Sequence, residues 1–284
     1  MLVRVLNAIC RTPPVRQLLR TPAVEDRRDP DAFLLRRLPA AGALLEGLRP
    51  HVELAGREVA DVGSGLGDKT CAAVAAGARD VVGIDLDPEK LARAKALARR
   101  AGVGEVRFAV GSAARLPLAD DSRDVVLLLE TIEHVDDPAE VLAECRRVLR
   151  KAGRLVVTFP PYRSPWGGHL FQHVAVPWSH LLLAEHEVLE LWRGLHRATV
   201  ARTGSWVTPS QTERIDRATT LDELWSLNGM TIHRFLELAR EAGLEIIDLR
   251  LKTPGGLGGA LFRSARLREY LVTGVKAIME PSCK

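Results

Sequence analysis

The stretch Val59-Ala-Asp-Val-Gly-Ser-Gly-Leu-Gly-Asp68 constrains the fold more than any other part of the chain. An apolar run ends beside an acidic residue. Three glycines at alternate positions, Gly63, Gly65 and Gly67, then lead into a helical pattern that opens at Asp68. Glycine has no Cβ and reaches backbone conformations closed to other residues, so this turn can bend sharply and let a small molecule lie against the main chain. A strand, a tight turn and a helix in that order begin a parallel α/β sheet.

The same rhythm continues downstream. Strand-like runs near Glu58–Val62, Asp80–Ile84, Val106–Val110, Asp124–Leu129 and Arg154–Phe159 alternate with helical patterns near Asp68–Ala76, Pro88–Ala101 and Pro138–Leu149. Pro88 and Pro138 stand at first-turn positions, where the missing N–H costs nothing, and Asp87 and Asp137 precede them as N-caps. The alternation predicts a doubly wound, mostly parallel α/β sheet of about seven strands, with ligands bound outside the carboxyl ends of the strands. Residues 1–50 carry Pro13, Pro14, Pro22, Pro30 and Pro39 and helical pieces at Phe33–Leu38 and Ala40–Leu48, so they read as a helical N-terminal cover. The main domain spans 51–284. Within it the rhythm breaks over residues 160–229, which read as a helical lid insertion forming the substrate pocket. The pattern returns with a helix at Thr231–Ala242, a strand at Glu245–Lys252 and a last strand near Leu271–Met279.

Charge and cysteine content exclude several classes. The formal net charge is +4, with Lys and Arg dispersed among Asp and Glu, which argues against nucleic acid as a partner. Cys10, Cys71, Cys145 and Cys283 have no paired spacing, so neither a disulfide framework nor a zinc site is expected, and a reducing cytoplasmic setting fits. Residues 1–10 are too short and interrupted for a signal peptide. No apolar run approaches the roughly 18 residues of a membrane span, so stable membrane insertion is not expected.

The glycine spacing narrows the ligand. In a dinucleotide fingerprint the third glycine would fall at Asp68, where a carboxylate at a helix N-terminus repels a pyrophosphate. A zwitterionic amino-acid tail fits better: Asp61 can accept from an ammonium while turn amides receive the carboxylate. Asp85, ending Val81-Val-Gly-Ile-Asp85, is placed to accept from both hydroxyls of a ribose.

With VVGIDLDPEKL, LPLADDSRDVVLLLETIEHVDDP and VLRKAGRLVVTFP added, residues 59–160 resemble the class I S-adenosylmethionine-dependent methyltransferases, particularly the small-molecule group that includes ubiquinone-pathway enzymes. The resemblance implies a Rossmann-like fold, S-adenosylmethionine as cofactor with S-adenosylhomocysteine as product, and a small or medium-sized metabolite as methyl acceptor, with O- or C-methylation favoured. It also implies a cofactor site lined by Asp61, Gly63, Ser64, Gly65, Asp85, Leu86, Ser112, Ala113 and Glu130. At Ser112 the family commonly has an aspartate holding the adenine amino group, whereas serine offers a weaker, uncharged acceptor. The family places the residues after the fourth strand toward the sulfonium and the substrate, which nominates His134 as a catalytic residue beside Glu130 and Glu133. These acids could instead simply cap the helix at Pro138. A different transferase on the same fold, or a non-catalytic cofactor-binding protein, are the alternatives.

The insertion supplies His169, His173, His180, His186 and His196, with Trp166, Trp178 and Trp192 among them. His169, beside Gly167 and Gly168, is the second catalytic candidate, through substrate contact. His169 and His173 could share a helical face as metal ligands do, but no third ligand stands at a recognisable spacing and no metal is expected. Tyr162, Arg163 and Trp166 could hold an acceptor or pack the lid. The apolar stripe within Leu181–Trp192 reads as packing on its own domain, with a homodimer partner or a membrane surface as alternatives. Its acids Glu185, Glu187 and Glu190 work against anionic lipid. Phe159-Pro-Pro-Tyr162 lacks the polar first residue with which a base-flipping amine methylase binds its target.

Overall fold

The computed structural model describes residues 2–19, 30–203, 209–253 and 264–282; Pro22 and Cys283 lie outside them. In chain order its elements are α1 (Leu2–Cys10), α2 (Pro13–Leu19), α3 (Pro30–Glu46), β1 (Glu58–Val62), α4 (Asp68–Ala75), β2 (Asp80–Asp85), α5 (Pro88–Arg100), β3 (Arg107–Val110), β4 (Arg123–Leu129), α6 (Pro138–Val148), β5 (Leu149–Phe159), α7 (Ser179–Leu182), α8 (Glu185–Thr203), α9 (Pro209–Arg217), α10 (Leu221–Trp225), α11 (Ile232–Glu241), β6 (Leu244–Lys252), α12 (Ala265–Leu271) and β7 (Gly274–Pro281). The seven strands form one sheet in the order β3-β2-β1-β4-β5-β7-β6. The pairs β1–β2, β1–β4, β2–β3 and β4–β5 are parallel, and β7 runs antiparallel to β5. The Rossmann-like, mostly parallel sheet is therefore present, with its order reversing between β1 and β4. At such a point the connections leave in opposite directions and open a crevice at the strand ends.

The chain divides into two compact units, one made of residues 29–159, 234–250 and 275–284, the other of 1–28, 160–233 and 251–274. In the first, β1 and β4 are largely buried, with Val59, Ala60 and Val62 and the run Val125–Leu129 apolar, because both faces of the sheet are covered. Leu45, Leu48, Val52, Ala73, Val125, Leu127 and Val156 form one core layer. Cys71, Leu97 and Ala98 form another with Leu35 and Phe108 packed on them. Asp87 and Asp137 cap α5 and α6, each accepting from the two following amides beyond the proline. Acids at the amino ends of the strands are matched by arginines: Asp80 by Arg107 and Arg123, and Glu58 by Arg79 and Arg150.

Several boundaries differ from the sequence expectation. The two N-terminal pieces are one helix, α3, with Pro39 inside it. Strand β5 begins at Leu149, five residues early, because β4 pairs with it through a register shift that absorbs the polar Arg150–Gly153 stretch. The last strand starts at Gly274, since Leu271 still belongs to α12.

The second unit is helical. Its core gathers Val3 of α1, Leu170, Val174, Val188, Leu189, Trp192, Ile215 and Leu224. The expected apolar stripe splits in two. Val188, Leu189, Leu191 and Trp192 on α8 are buried within their own unit, while Leu181 and Leu182 on α7 are exposed. Asn7 fastens α1 to this unit, donating from Nδ2 to the His173 carbonyl at 3.1 Å and accepting at Oδ1 from the Ala175 amide at 2.7 Å. No helix among the described residues is long and apolar enough to cross a membrane. Asn7→Ala leaves a buried carbonyl and a buried amide without partners, so a loss of roughly 2–4 kcal/mol is expected in urea unfolding. A loss under about 0.5 kcal/mol would show that water replaces the side chain.

Candidate functional site

The carboxyl ends of β1, β2 and β4 lie side by side in the first unit, with Asp61 in register with Gly83 on one side and Leu127 on the other. The glycine turn leaves β1 here. The Gly63 and Ser64 amides both donate to the Ile84 carbonyl, at 2.8 and 2.9 Å, and the Gly65 amide donates to Asp85 Oδ2 at 2.9 Å. Gly63 and Gly65 have φ of +73° and +54°, in the left-handed region. They need glycine for different reasons beyond that shared conformation. A Cβ on Gly63 would stand 2.4 Å from the Thr131 side chain, whereas one on Gly65 would meet no atom within 4 Å. The first glycine admits a neighbouring loop, and the second leaves open space over the turn.

Asp61 is buried, and its Oδ2 accepts from the Thr70 hydroxyl at 2.6 Å. Burial pushes its pKa up to about 6, against the Thr70 hydrogen bond and Lys69, which favour the charged form; Asp68 and Asp85 add to the rise. Asp68, at the first position of α4, is paired with Arg37 of α3 at 2.9 Å, so its charge is locally compensated. Asp85 accepts at Oδ1 from the Asp87 amide at 2.9 Å as well as from Gly65. Each carboxylate oxygen retains acceptor capacity for a further donor. Next to it in sequence, Leu86 is 69% exposed, and Val110, in register with Asp85 on β3, is 59% exposed. Two apolar side chains so open to solvent beside a carboxylate make a wall on which a flat ring can lie.

Ser112 accepts at Oγ from the Ala114 amide at 3.2 Å, which leaves its own hydroxyl proton to be donated. Ala113 lies within the same tight turn, between Ser112 and Arg115. Glu130 is exposed, with φ of +55° and its amide donating to the Thr158 carbonyl. Glu133 and His134 follow in a short 3-10 turn, Ile132–His134. His134 is half-buried, its Nε2 3.8 Å from Glu133 Oε1. The Glu133 carboxyl is buried and neither oxygen has a hydrogen-bond partner; burial and the nearby Glu130 hold its pKa well above the usual carboxylate range. Ser64 Oγ is likewise buried and unpartnered. Orphaned polar atoms of this kind are rare in folded proteins and mark places where a ligand completes the bonding. Among the described residues no arginine lies within salt-bridge distance of Asp61, Asp85, Glu130 or Glu133, in contrast to the amino ends of the same strands; Asp85 has Lys90 Nζ at 3.9 Å.

The structure thus groups Asp61, Gly63, Ser64, Gly65, Asp85, Leu86, Ser112, Ala113, Glu130 and His134 in one unit. His169 belongs to the other unit, in a turn with φ of +55°. It shares no helix with His173, so the helical-face arrangement does not form: Gly167 and Gly168 pack the chain so closely that a Cβ would collide with the Tyr162 carbonyl and the His180 ring. The Tyr162 hydroxyl donates to Asp222 at 2.7 Å, and Arg163 lies over the Tyr270 ring, so both have packing roles within their unit. Sequence reasoning missed Thr70, Lys69 and Arg37, whose placement around Asp61 and Asp68 depends on how α3 and α4 pack.

Residues 60–157 match the family model described as a methyltransferase domain. Over 126 residues the chain is 37% identical to a ubiquinone biosynthesis O-methyltransferase of Methylococcus capsulatus, covering 44% of this chain and 52% of that protein. It is 40% identical over 116 residues to an uncharacterized methyltransferase of Mycobacterium ulcerans, covering 41% and 44%. The chain spans about half the length of the curated relatives it matches. Among solved structures, an S-adenosylmethionine-dependent methyltransferase of Mesorhizobium loti superposes with a TM-score of 0.53 at 18% identity, over 86% of this chain and 99% of that one, a likeness of fold.

The buried Asp61 gives a signed test. With its pKa raised, the folded protein binds this proton more tightly than the unfolded chain, so the stability it confers is full in acid and lost as pH rises through about 6. Asp61→Asn removes that dependence. The stability of the variant relative to the parent should therefore rise by roughly 2 kcal/mol between pH of about 4 and about 7 in urea unfolding. A difference that stays flat with pH would mean that Asp61 titrates normally.

Proposed function

We infer that the protein, whose residues 60–157 match a methyltransferase-domain model, is a class I methyltransferase that transfers a methyl group from S-adenosylmethionine to the hydroxyl or carbon of a small or medium-sized metabolite. The observation that carries this reading is the row of acids without arginine partners at the carboxyl ends of β1, β2 and β4, beside the open glycine turn. A cofactor with an ammonium, two ribose hydroxyls and a sulfonium has the complementary chemistry. Asp61 and the turn amides would hold the amino-acid tail, Asp85 the ribose, and Leu86 with Val110 the adenine face. Ser112, already an acceptor for Ala114, would donate its proton to an adenine ring nitrogen. Glu130 would face the sulfonium, and the buried, unpartnered Glu133 carboxyl, held toward its neutral form by burial and by Glu130, would offer a hydrogen bond beside it. S-adenosylmethionine supplies an activated methyl group when bound.

The protein's own contribution is alignment and the exclusion of water. His134 is half-buried at the end of β4 and is the group suited to take a hydroxyl proton from the acceptor, since an imidazole titrates near neutral pH. We assign the acceptor pocket to the insertion, with His169 as its substrate contact. The ubiquinone-pathway relative supports a hydroxyl acceptor, and the partial overlap with it leaves the acceptor's identity to experiment.

Calorimetric titration should show binding of S-adenosylmethionine and S-adenosylhomocysteine but not NAD, with Asp85→Ala weakening both by at least about tenfold. NAD binding, or silence with all three, would remove the reading. With an acceptor in hand, His134→Ala is expected to lower kcat by about a hundredfold or more while leaving cofactor affinity intact. Unchanged turnover would return His134 to a structural role.

A further inference from the structure

Helix α1 carries a face that the described residues of its own unit leave exposed. Val3 and Asn7 point inward, 3% and 5% exposed, with Val3 in the helical core and Asn7 bonded to the backbone of residues 173 and 175. Leu2, Val5 and Ile9 recur at helical spacing on another side and are 61%, 51% and 50% exposed. Residues three and seven apart on a helix lie on one stripe, so these three make a continuous apolar face held outward by the Asn7 clamp. Exposing three large aliphatic side chains in one stripe is costly in water and marks a contact surface.

The surrounding charge selects the partner. Residues 1–24 contain Arg4, Arg11, Arg16 and Arg20 and no acidic residue; the first carboxylate is Glu25. Arg4 is exposed beside the apolar face, and Arg11 is anchored through a 2.8 Å bond to the Gln172 carbonyl. The charged side chains of residues 2–19 are all arginines, Arg4, Arg11 and Arg16, and an apolar stripe on so basic a segment suits a surface that is apolar within and negative at its rim, namely the headgroup boundary of an anionic bilayer. By contrast the insertion stripe carries Glu185, Glu187 and Glu190 and packs Val188 to Trp192 inside its own unit.

We propose that α1 is a peripheral membrane-docking face, which seats Leu2, Val5 and Ile9 in the outer part of an anionic lipid leaflet while Arg4 and its neighbours pair with lipid phosphates. Docking is interfacial and reversible, because nine helical residues cannot cross a bilayer. The inference is independent of the methyl-transfer reading.

The test is flotation of the full chain with vesicles of phosphatidylcholine alone or of equal parts phosphatidylcholine and phosphatidylglycerol. Binding is expected to the anionic vesicles only, to fall at high salt, and to drop at least about tenfold in Val5→Glu/Ile9→Glu. Arg4→Glu, which leaves the packing untouched, should also weaken binding, so a folding defect in the double variant would not decide the question. No binding of the parent chain to anionic vesicles overturns the proposal, as does binding that both variants retain. If light scattering instead shows a dimer that Val5→Glu/Ile9→Glu disrupts, with vesicles ignored, the face belongs to a second copy and the lipid assignment fails.

Discussion

Parallel pairing of β1 with both β2 and β4 is the constraint from which the rest of the site follows. It aligns three carboxyl ends in one row at the point where the strand order reverses, so that Asp61, Asp85 and the turn after Leu129 become neighbours although they are far apart in sequence. The two ends of the sheet are treated differently. Acids at the amino ends are paired with Arg79, Arg107, Arg123 and Arg150, whereas at the carboxyl ends Asp85 has only Lys90, at 3.9 Å, and Asp61 only the charge of nearby Lys69. Arginine pairing at one end serves cohesion, and at the other the acids, without an arginine fork on them, keep acceptor oxygens for a ligand that donates hydrogen bonds.

The site is assembled at a cost to stability. Asp61 and Glu133 are buried carboxyls whose surroundings resist ionisation, and Ser64 and Glu133 carry polar atoms with no internal partner. Left-handed backbone at Glu130, where no glycine eases it as at Gly63 and Gly65, adds strain at the same edge. The layers beneath compensate. Leu127, Leu128, Val126 and Phe159 are fully buried, and the turn is fixed by hydrogen bonds to Ile84 and Asp85. A rigid sheet holding a strained, undersatisfied rim is the usual arrangement where binding is favoured over stability.

In the helical unit most of the histidines that drew notice in sequence have structural employment. His173 and His196 pack against the Trp192 ring, the latter stacked at 4.9 Å, and Trp225 meets the same ring edge-on. His180 bonds the Tyr162 carbonyl through Nε2 at 2.6 Å, and burial lowers its pKa, which favours the neutral ring. Glu185, expected as surface charge, accepts from the Leu221 amide at the start of α10. His169, in the turn segment, is the one we propose as the acceptor contact.

Local signals determined much of this protein. The alternation of apolar runs and capped helices specified the parallel sheet, because strand and helix periods and proline at a first turn are properties of neighbouring residues. The glycine turn and Asp85 were legible for the same reason: a φ above zero and a short sequence span leave a mark in residue type. Tertiary structure decided what depends on distant packing. It merged α3 across Pro39, lengthened β5 through its pairing with β4, brought Thr70 and Lys69 to Asp61, and buried Glu133 without a partner. It also turned one face of α1 inward through Asn7 and left the other exposed, since a residue's neighbours across the fold, and not its neighbours in the chain, decide whether an apolar side chain is core or surface.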